Sequence, residues 1–360
     1  MSAVLDAATL RAMARGCAIL GAGGGGDPHI GLLQSLQATE DFGPVTLADL
    51  DELDDDALLM PCGMIGAPTV HIEKIENGTE GSRLVARLEQ ITGKKVAALM
   101  AAEIGGSNGL QPISWAARAG LPVVDADGMG RAFPEVPQVA MHIAGISPSP
   151  CVMTEERGNM IVFETVSGQW MERLARAAAV EFGGSASSTE YTLTVAEART
   201  ATVRGSVTLA IGIGQALTDA EGDPVAAVLA ATGARRLVTG KIADVERRTT
   251  KGFVRGSVVV EGLGADAGRL IRLELQNENL VALEAGRVTA SVPDLISVLD
   301  TETGDAIVTE RVRYGQRVTV IAFACHPIWR TPAGLEAAGP RAFGYDFDYI
   351  PVEELAGALS

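Results

Sequence analysis

Two stretches of this sequence carry acidic, amide and basic side chains next to glycine, the composition that small-molecule sites favour. They are Glu103-Ile104-Gly105-Gly106-Ser107-Asn108 and Asp125-Ala126-Asp127-Gly128-Met129-Gly130-Arg131, the second followed closely by Glu135. Neighbouring carboxyl groups raise each other's pKa, so one site can hold both a proton donor and a proton acceptor. Arg131 adds a planar fork suited to a carboxylate. The structural alternative is that Asp125 and Asp127 cap loops and Arg131 neutralises them. A third stretch, Gly66 to Lys74, ends in Glu73 and Lys74, and a fourth, Thr154 to Asn159, again sets charge beside glycine.

A glycine run, Gly21-Ala22-Gly23-Gly24-Gly25-Gly26, precedes Asp27-Pro28. Asp27 reads as an N-cap and Pro28 as the first residue of a short helix to about Gln37. Bare amides of Gly23, Gly24, Gly25 and Gly26 beside a helix start suit an anion or a developing negative charge. The competing reading is a turn that uses glycine for positive φ or tight packing. The run formally matches G-x-G-x-x-G. That fingerprint needs a strand before it, and Thr9–Leu20 has helical spacing, which argues against a nicotinamide cofactor.

The positioning elements are read from periodicity. Strands are expected at Ala57–Cys62, Lys95–Glu103 and Leu121–Asp125, separated by helices at Gly81–Gln90 and Pro112–Ala119. Such alternation predicts an α/β N-terminal domain: a mixed, largely parallel sheet with flanking helices. Open sheets of this kind bind ligands beyond the carboxyl ends of their strands, which is where Glu103, Gly105, Gly106, Asn108, Asp125, Asp127 and Arg131 would converge. Gln138–Gly145 and Asn159–Thr165 are expected to add strands, and Trp170–Phe182 and Val207–Leu217 to form helices. Short β-rich runs follow at Leu237–Glu246, Phe253–Val260, Leu270–Leu275, Leu280–Glu284 and Val318–Ala324, predicting a β-rich, barrel-like C-terminal domain. The expected division is 1–168 and 169–360.

Composition narrows the function. With 29 Lys+Arg against 45 Asp+Glu, a net charge of −16 and only 4% aromatic residues, the chain lacks the basic face and stacking surfaces of a nucleic-acid binder. No apolar run reaches a membrane span, and the N-terminus lacks the pattern of a signal peptide. Cys17, Cys62, Cys151 and Cys325 stand far apart, as reduced thiols do, so a cytoplasmic protein is expected. His29, His71, His142 and His326 have no metal-ligand spacing, which leaves a divalent metal as an open possibility and names no ligand set. The acidic run Asp49–Asp56 reads as solvated surface. A small-molecule substrate is the expected partner, with self-association as a further expectation.

Four motifs in order, GAGGGGDPH (21–29), GAPTVHIEK (66–74), EIGGSN (103–108) and DADGMGRAFPE (125–135), together with GPRAFGYDFDY (339–349), resemble the S-methyl thiohydantoin desulfurase family. The resemblance covers nearly the whole chain. It implies an α/β domain followed by a β-barrel-containing one, and a hydrolase that cleaves a carbon–sulfur bond on a thiohydantoin- or hydantoin-like cyclic ureide. In that reading Asp125 or Asp127 activates water, Glu103 is the acid, and amides of Gly24–Gly26 or Gly105–Gly106 stabilise charge. Such families are often encoded beside hydantoinase/oxoprolinase-type enzymes, so a hydantoinase-type partner is a second expectation. A nucleotide- or phosphate-binding regulator using the glycine run is a third. Ala22 stands where the family often has cysteine, which closes a thiol mechanism at that position to this chain.

Overall fold

A helix, Ala7–Leu20, carries the chain into the glycine run, and a second helix, Pro28–Phe42, carries it out, with Asp27 accepting from His29 N at 3.0 Å as the N-cap. The computed structural model describes residues 3–67, 70, 73–250 and 253–355. The first helix is held by small residues. Gly16 lies against Ala210, and Gly214 of the helix Ser206–Thr218 lies against Ala12, so closely that a Cβ on either glycine would overlap backbone. That contact fixes where the glycine run begins.

The first sheet is mixed and parallel in its centre. Val45–Ala48, Val123–Asp127, Val96–Ala101 and Leu58–Gly66 run parallel in that order, and antiparallel strands flank them on both sides. Leu58–Gly66 pairs on its other edge with Ser185–Thr189, which continues to Cys151–Thr154 and Met160–Phe163. The helices Glu80–Thr92 and Gln111–Ala119 connect the central strands. These strands read as apolar runs because both faces of a parallel sheet are covered.

One expectation is corrected. Gln138–Gly145 is not a strand: Ala140–Ile143 is a short helix whose first amide, Ala140 N, donates to Gly128 O at 2.7 Å. A brief apolar run cannot be assigned by periodicity alone, and here it crosses the strand ends. Asp49–Asp56 is at the surface as expected, yet it is more than solvated. Asp49 and Asp51 pair with Arg204 at 2.9 and 2.7 Å, and Asp55 with Arg199 at 2.6 Å.

From Arg235 onward seven antiparallel strands form one sheet, curled into a half-barrel, in the order Arg287–Ser291, Glu278–Glu284, Leu270–Gln276, Phe253–Gly262, Arg235–Thr250, Arg317–Phe323 and Leu295–Asp300. Its interior holds a separate apolar cluster around Val238, Val260 and Val320. Leu280, Leu295 and Ile321 join the main core beneath the first sheet instead. Among the described residues, no helix is long and apolar enough to cross a membrane.

Asp294 ties the chain's C-terminal segment to this sheet. Its buried carboxylate accepts from Cys325 N, Arg330 Nη2, Tyr349 OH and Val352 N at 2.8–3.0 Å, which puts the 339–349 motif to structural use.

Candidate functional site

The carboxyl ends of the central strands open into a cavity of about 100 Å³. Three of its walls come from the end of the strand Leu58–Gly66 with Ala67 and from the loops Ala102–Asn108 and Met129–Val139. Gly25 and Gly26 form a fourth, Ser185, Ser188 and Glu190 a fifth, and Asn277 and Glu278 of the second sheet complete it. The volume suits a small ring. Pockets that take larger ligands run from roughly 300 Å³ upward.

The two glycine motifs meet here, backbone against backbone. Gly25 O accepts from Ser107 N at 2.8 Å and from Asn108 N at 3.3 Å. Gly25 has a φ of +72°, and a Cβ there would sit 2.1 Å from Gly105 O. Gly24 lies against the Glu278 carboxyl in the same way. The run thus packs tightly, and its Gly25 and Gly26 form part of the cavity wall. Gly25→Ala should lower the unfolding free energy by roughly 2–4 kcal/mol, from positive φ and overpacking together. Urea denaturation measures this, and a wild-type midpoint would contradict the packing described.

Glu103 is buried at the end of its strand. Its Oε2 accepts from Phe133 N at 3.2 Å and its Oε1 from Asn108 Nδ2, while Asn108 Oδ1 accepts from Met64 N at 3.1 Å. Burial pushes its carboxyl up to about 8; the bonds from Asn108 and Phe133 pull the other way. Glu278, 2% exposed, is raised well above the ordinary glutamate value, first by burial and then by the nearby charge of Glu103, with Arg131 opposing. Glu190 is pushed up to about 7 by burial, and Glu135 is raised for the same reason.

The other expected site residues lie elsewhere. Asp127 is fully buried and does not border the cavity. Its carboxylate accepts from Ile104 N, Met129 N and Gly130 N at 2.8–3.0 Å, shaping the loops that carry Glu103 and Phe133. Burial still holds it up at about 6. Asp125 accepts from Thr208 N at 3.0 Å and from the Thr208 hydroxyl, at the start of the helix Ser206–Thr218. Neither carboxylate lines the cavity: amides and a hydroxyl occupy their oxygens.

Arg131 is fully buried and does not border the cavity, and its Nη2 has no hydrogen-bond partner among the described residues. Its guanidinium donates to Ala132 O at 2.9 Å, Pro293 O at 2.5 Å and Asp294 O at 3.0 Å, stacked on Phe133. Burial lowers its pKa to about 10, so it stays charged at neutral pH behind Glu103 and Glu278. Lys74 pairs with Glu156 at 3.0 Å and donates to Ser185 O at 2.7 Å, and Glu73 is exposed; neither borders the cavity. Asp27 pairs with Arg311 across the seam between the two sheets. Residues 68–69 and 71–72 of the GAPTVHIEK motif, His71 among them, lie outside the described residues.

Glu278, Glu190 and Arg176 escaped the sequence reading. Glu278 opens the strand Glu278–Glu284 of the second sheet, directly after the turn residue Asn277 at φ +58°, where a polar quartet reads as an ordinary hairpin loop. Glu190 follows Ser185–Thr189, a strand of small polar residues with no apolar alternation. Among the described residues, no group of three or more His, Cys, Asp or Glu side chains is placed to hold a metal ion.

Fold and cavity together define an α/β unit docked on a curled β-sheet, with a small acid-lined cavity where the two meet. The S-Me-THD-like N-terminal domain matches residues 8–165 and the S-Me-THD-like C-terminal domain residues 166–352, so the chain belongs to the S-Me-THD-like family. It is similar in fold to a crystal structure of a protein from Chromobacterium violaceum, with a TM-score of 0.81 and 22% identity over 98% of this chain and 100% of that one. Among curated proteins, none matches the chain.

Proposed function

We propose that the cavity hydrolyses the exocyclic carbon–sulfur bond of a thiohydantoin-type ring. The observation that carries this reading is the pair of buried carboxyl groups, Glu103 and Glu278, bordering one cavity, both raised by burial above the ordinary glutamate value, Glu103 to about 8. Membership of a family named for S-methyl thiohydantoin supports it.

Two interacting acids titrate as a unit, so the pair holds a proton on one member while the other is ionised. The ionised member takes a proton from water as its oxygen attacks the carbon between the two ring nitrogens. The protonated member delivers its proton as the C–S bond breaks. The sum is a cyclic isothiourea plus water giving a cyclic urea plus a thiol. Gly25 N and Gly26 N have no acceptor among the described residues, which suits them to the charge that develops on the ring during attack. A phosphate at the same glycines would face Glu278, which disfavours the nucleotide reading.

The test is incubation of the purified chain with S-methyl thiohydantoin, following methanethiol with a thiol reagent and hydantoin by mass spectrometry. Both products are expected in equal amounts. Release of no thiol by the isolated chain would overturn the reading and favour a non-catalytic partner of a hydantoinase-type enzyme.

A further inference from the structure

Glu190 borders the cavity and is 8% exposed. No backbone amide, guanidinium or ammonium among the described residues reaches its carboxyl group; Cys151 Sγ, a weak donor, lies 4.0 Å from its Oε2. Arg176 also borders the cavity, but its guanidinium donates to Glu172 at 2.7 Å and to Pro134 O at 3.0 Å. A buried acceptor without a firm donor is costly, and an N–H brought by a ligand relieves that cost. Ser188, two residues earlier, borders the same cavity. Its hydroxyl donates to Gly63 O at 3.5 Å, the far limit of a hydrogen bond, and also acts on Glu190. One short stretch of chain thus brings a hydroxyl donor and a carboxyl acceptor to the cavity together. The backbone beside them is strained: Tyr191, bulky and 1% exposed, holds a φ of +52°. Its hydroxyl meets His142 Nδ1 at 3.3 Å, and Gly168 packs so near that a Cβ would come within 2.5 Å of that hydroxyl. Strain held in place by packing gathers at ligand sites.

Resting on the ring-hydrolysis reading, we propose that Glu190 and Ser188 select the ring by its amide edge: Glu190 accepts the ring N–H, and Ser188 donates to the ring carbonyl oxygen beside it. In a five-membered ring that N–H and that carbonyl are locked side by side, so one acceptor and one donor read both at once. S-methyl thiohydantoin presents this edge at N3 and C4, adjoining the carbon from which sulfur leaves. Glu103 and Glu278 act on that carbon, while Glu190 and Ser188 hold the edge next to it. Glu190 is therefore a specificity-determining residue and takes no part in proton transfer to the leaving group. A methyl group on N3 sets carbon against the Glu190 oxygen and leaves a buried acceptor unpaired. Sites built to hydrogen-bond an N–H reject analogues that lack it for this reason.

Calorimetric titration of the full chain with hydantoin and with 3-methylhydantoin tests this without turnover. Hydantoin is expected to bind about tenfold tighter or better, equivalent to at least 1.4 kcal/mol. Glu190→Met removes the acceptor at nearly the same length and should bring the two rings to within about twofold of each other. Rejection of the methyl group by bulk alone would persist in that variant. Glu190→Gln keeps a carbonyl acceptor and should hold the preference to within about threefold of wild type; it is also the second variant should Glu190→Met fail to fold. Ser188→Ala should weaken both rings alike, by about fivefold, because the C4 carbonyl is common to them. Equal affinity of the wild-type chain for the two rings, binding of neither, an undiminished preference in Glu190→Met, or its loss in a folded Glu190→Gln overturns the inference. A Glu190-dependent preference with no thiol released from S-methyl thiohydantoin overturns the proposed reaction and upholds the inference; thiol release with equal affinity for the two rings does the reverse.

Discussion

Glu103→Gln should lower kcat/KM for S-methyl thiohydantoin by about 10²–10⁴-fold, the range of general acid–base catalysis. The amide keeps an acceptor for Asn108 Nδ2 and most of the side-chain volume, so the fold should survive with a modest cost at Phe133 N. Asp125→Asn is the matched control. Its carboxylate caps the helix Ser206–Thr218 away from the cavity, and turnover should stay near the wild-type rate. Steady-state kinetics beside a urea unfolding curve separate chemistry from stability. Wild-type turnover in Glu103→Gln would remove this residue from the acid pair. A fall in Asp125→Asn equal to that in Glu103→Gln, with unfolding unchanged, would return the catalytic role to the strand end at 125.

Stability should fall as the pH rises from about 5 to 8. Glu76, Glu190 and Glu310 are each raised to about 7 and Glu103 to about 8, all by burial first. In the unfolded chain a glutamate loses its proton near 4.3. Between that value and the folded pKa, the native state binds more protons, so the unfolding free energy declines with pH. At about 1.4 kcal/mol per unit, a single carboxyl of this set shifts stability by roughly 4–5 kcal/mol across its window. On the acid side the order reverses. Asp266 and Glu284 are held below their usual range by partners that include Arg269, and their contribution fades as the pH drops through their folded values. Half-buried His142 and His326, lowered by burial, oppose the main trend between pH 5 and 6.5. Urea midpoints at pH 5, 6.5 and 8 should therefore decline in that order. A midpoint that holds or rises would mean that water or rearrangement relieves these buried acids.

The central strands were legible because a parallel sheet buries both faces and leaves unbroken apolar runs such as Leu58–Met60 and Val96–Ala101. That alternation was enough to place the loop 103–108 at the cavity. Asp125 and Asp127 were not separable by sequence. They share a strand two residues apart, and only the helix at Thr208 and the amides of Met129 and Gly130 assign them their tasks. Glu278 was beyond reach for a different reason. Its local signal is that of a hairpin turn, and its burial depends on a glycine run more than 250 residues earlier approaching it without a side chain.

The seam between the two sheets is written mostly in main-chain atoms. Asn279 N donates to Ala22 O and Thr309 N to Gly23 O, Arg131 grips the carbonyls of Pro293 and Asp294, and Trp329 Nε1 donates to Met129 O. Carbonyl acceptors do not change when their residues do. Sequence drift can therefore replace much of the lining of either half without unseating one from the other. That latitude is in keeping with a shared architecture surviving at 22% identity. It also makes the joint between the halves a matter of main-chain geometry, on which side chains of the cavity can change without loosening it.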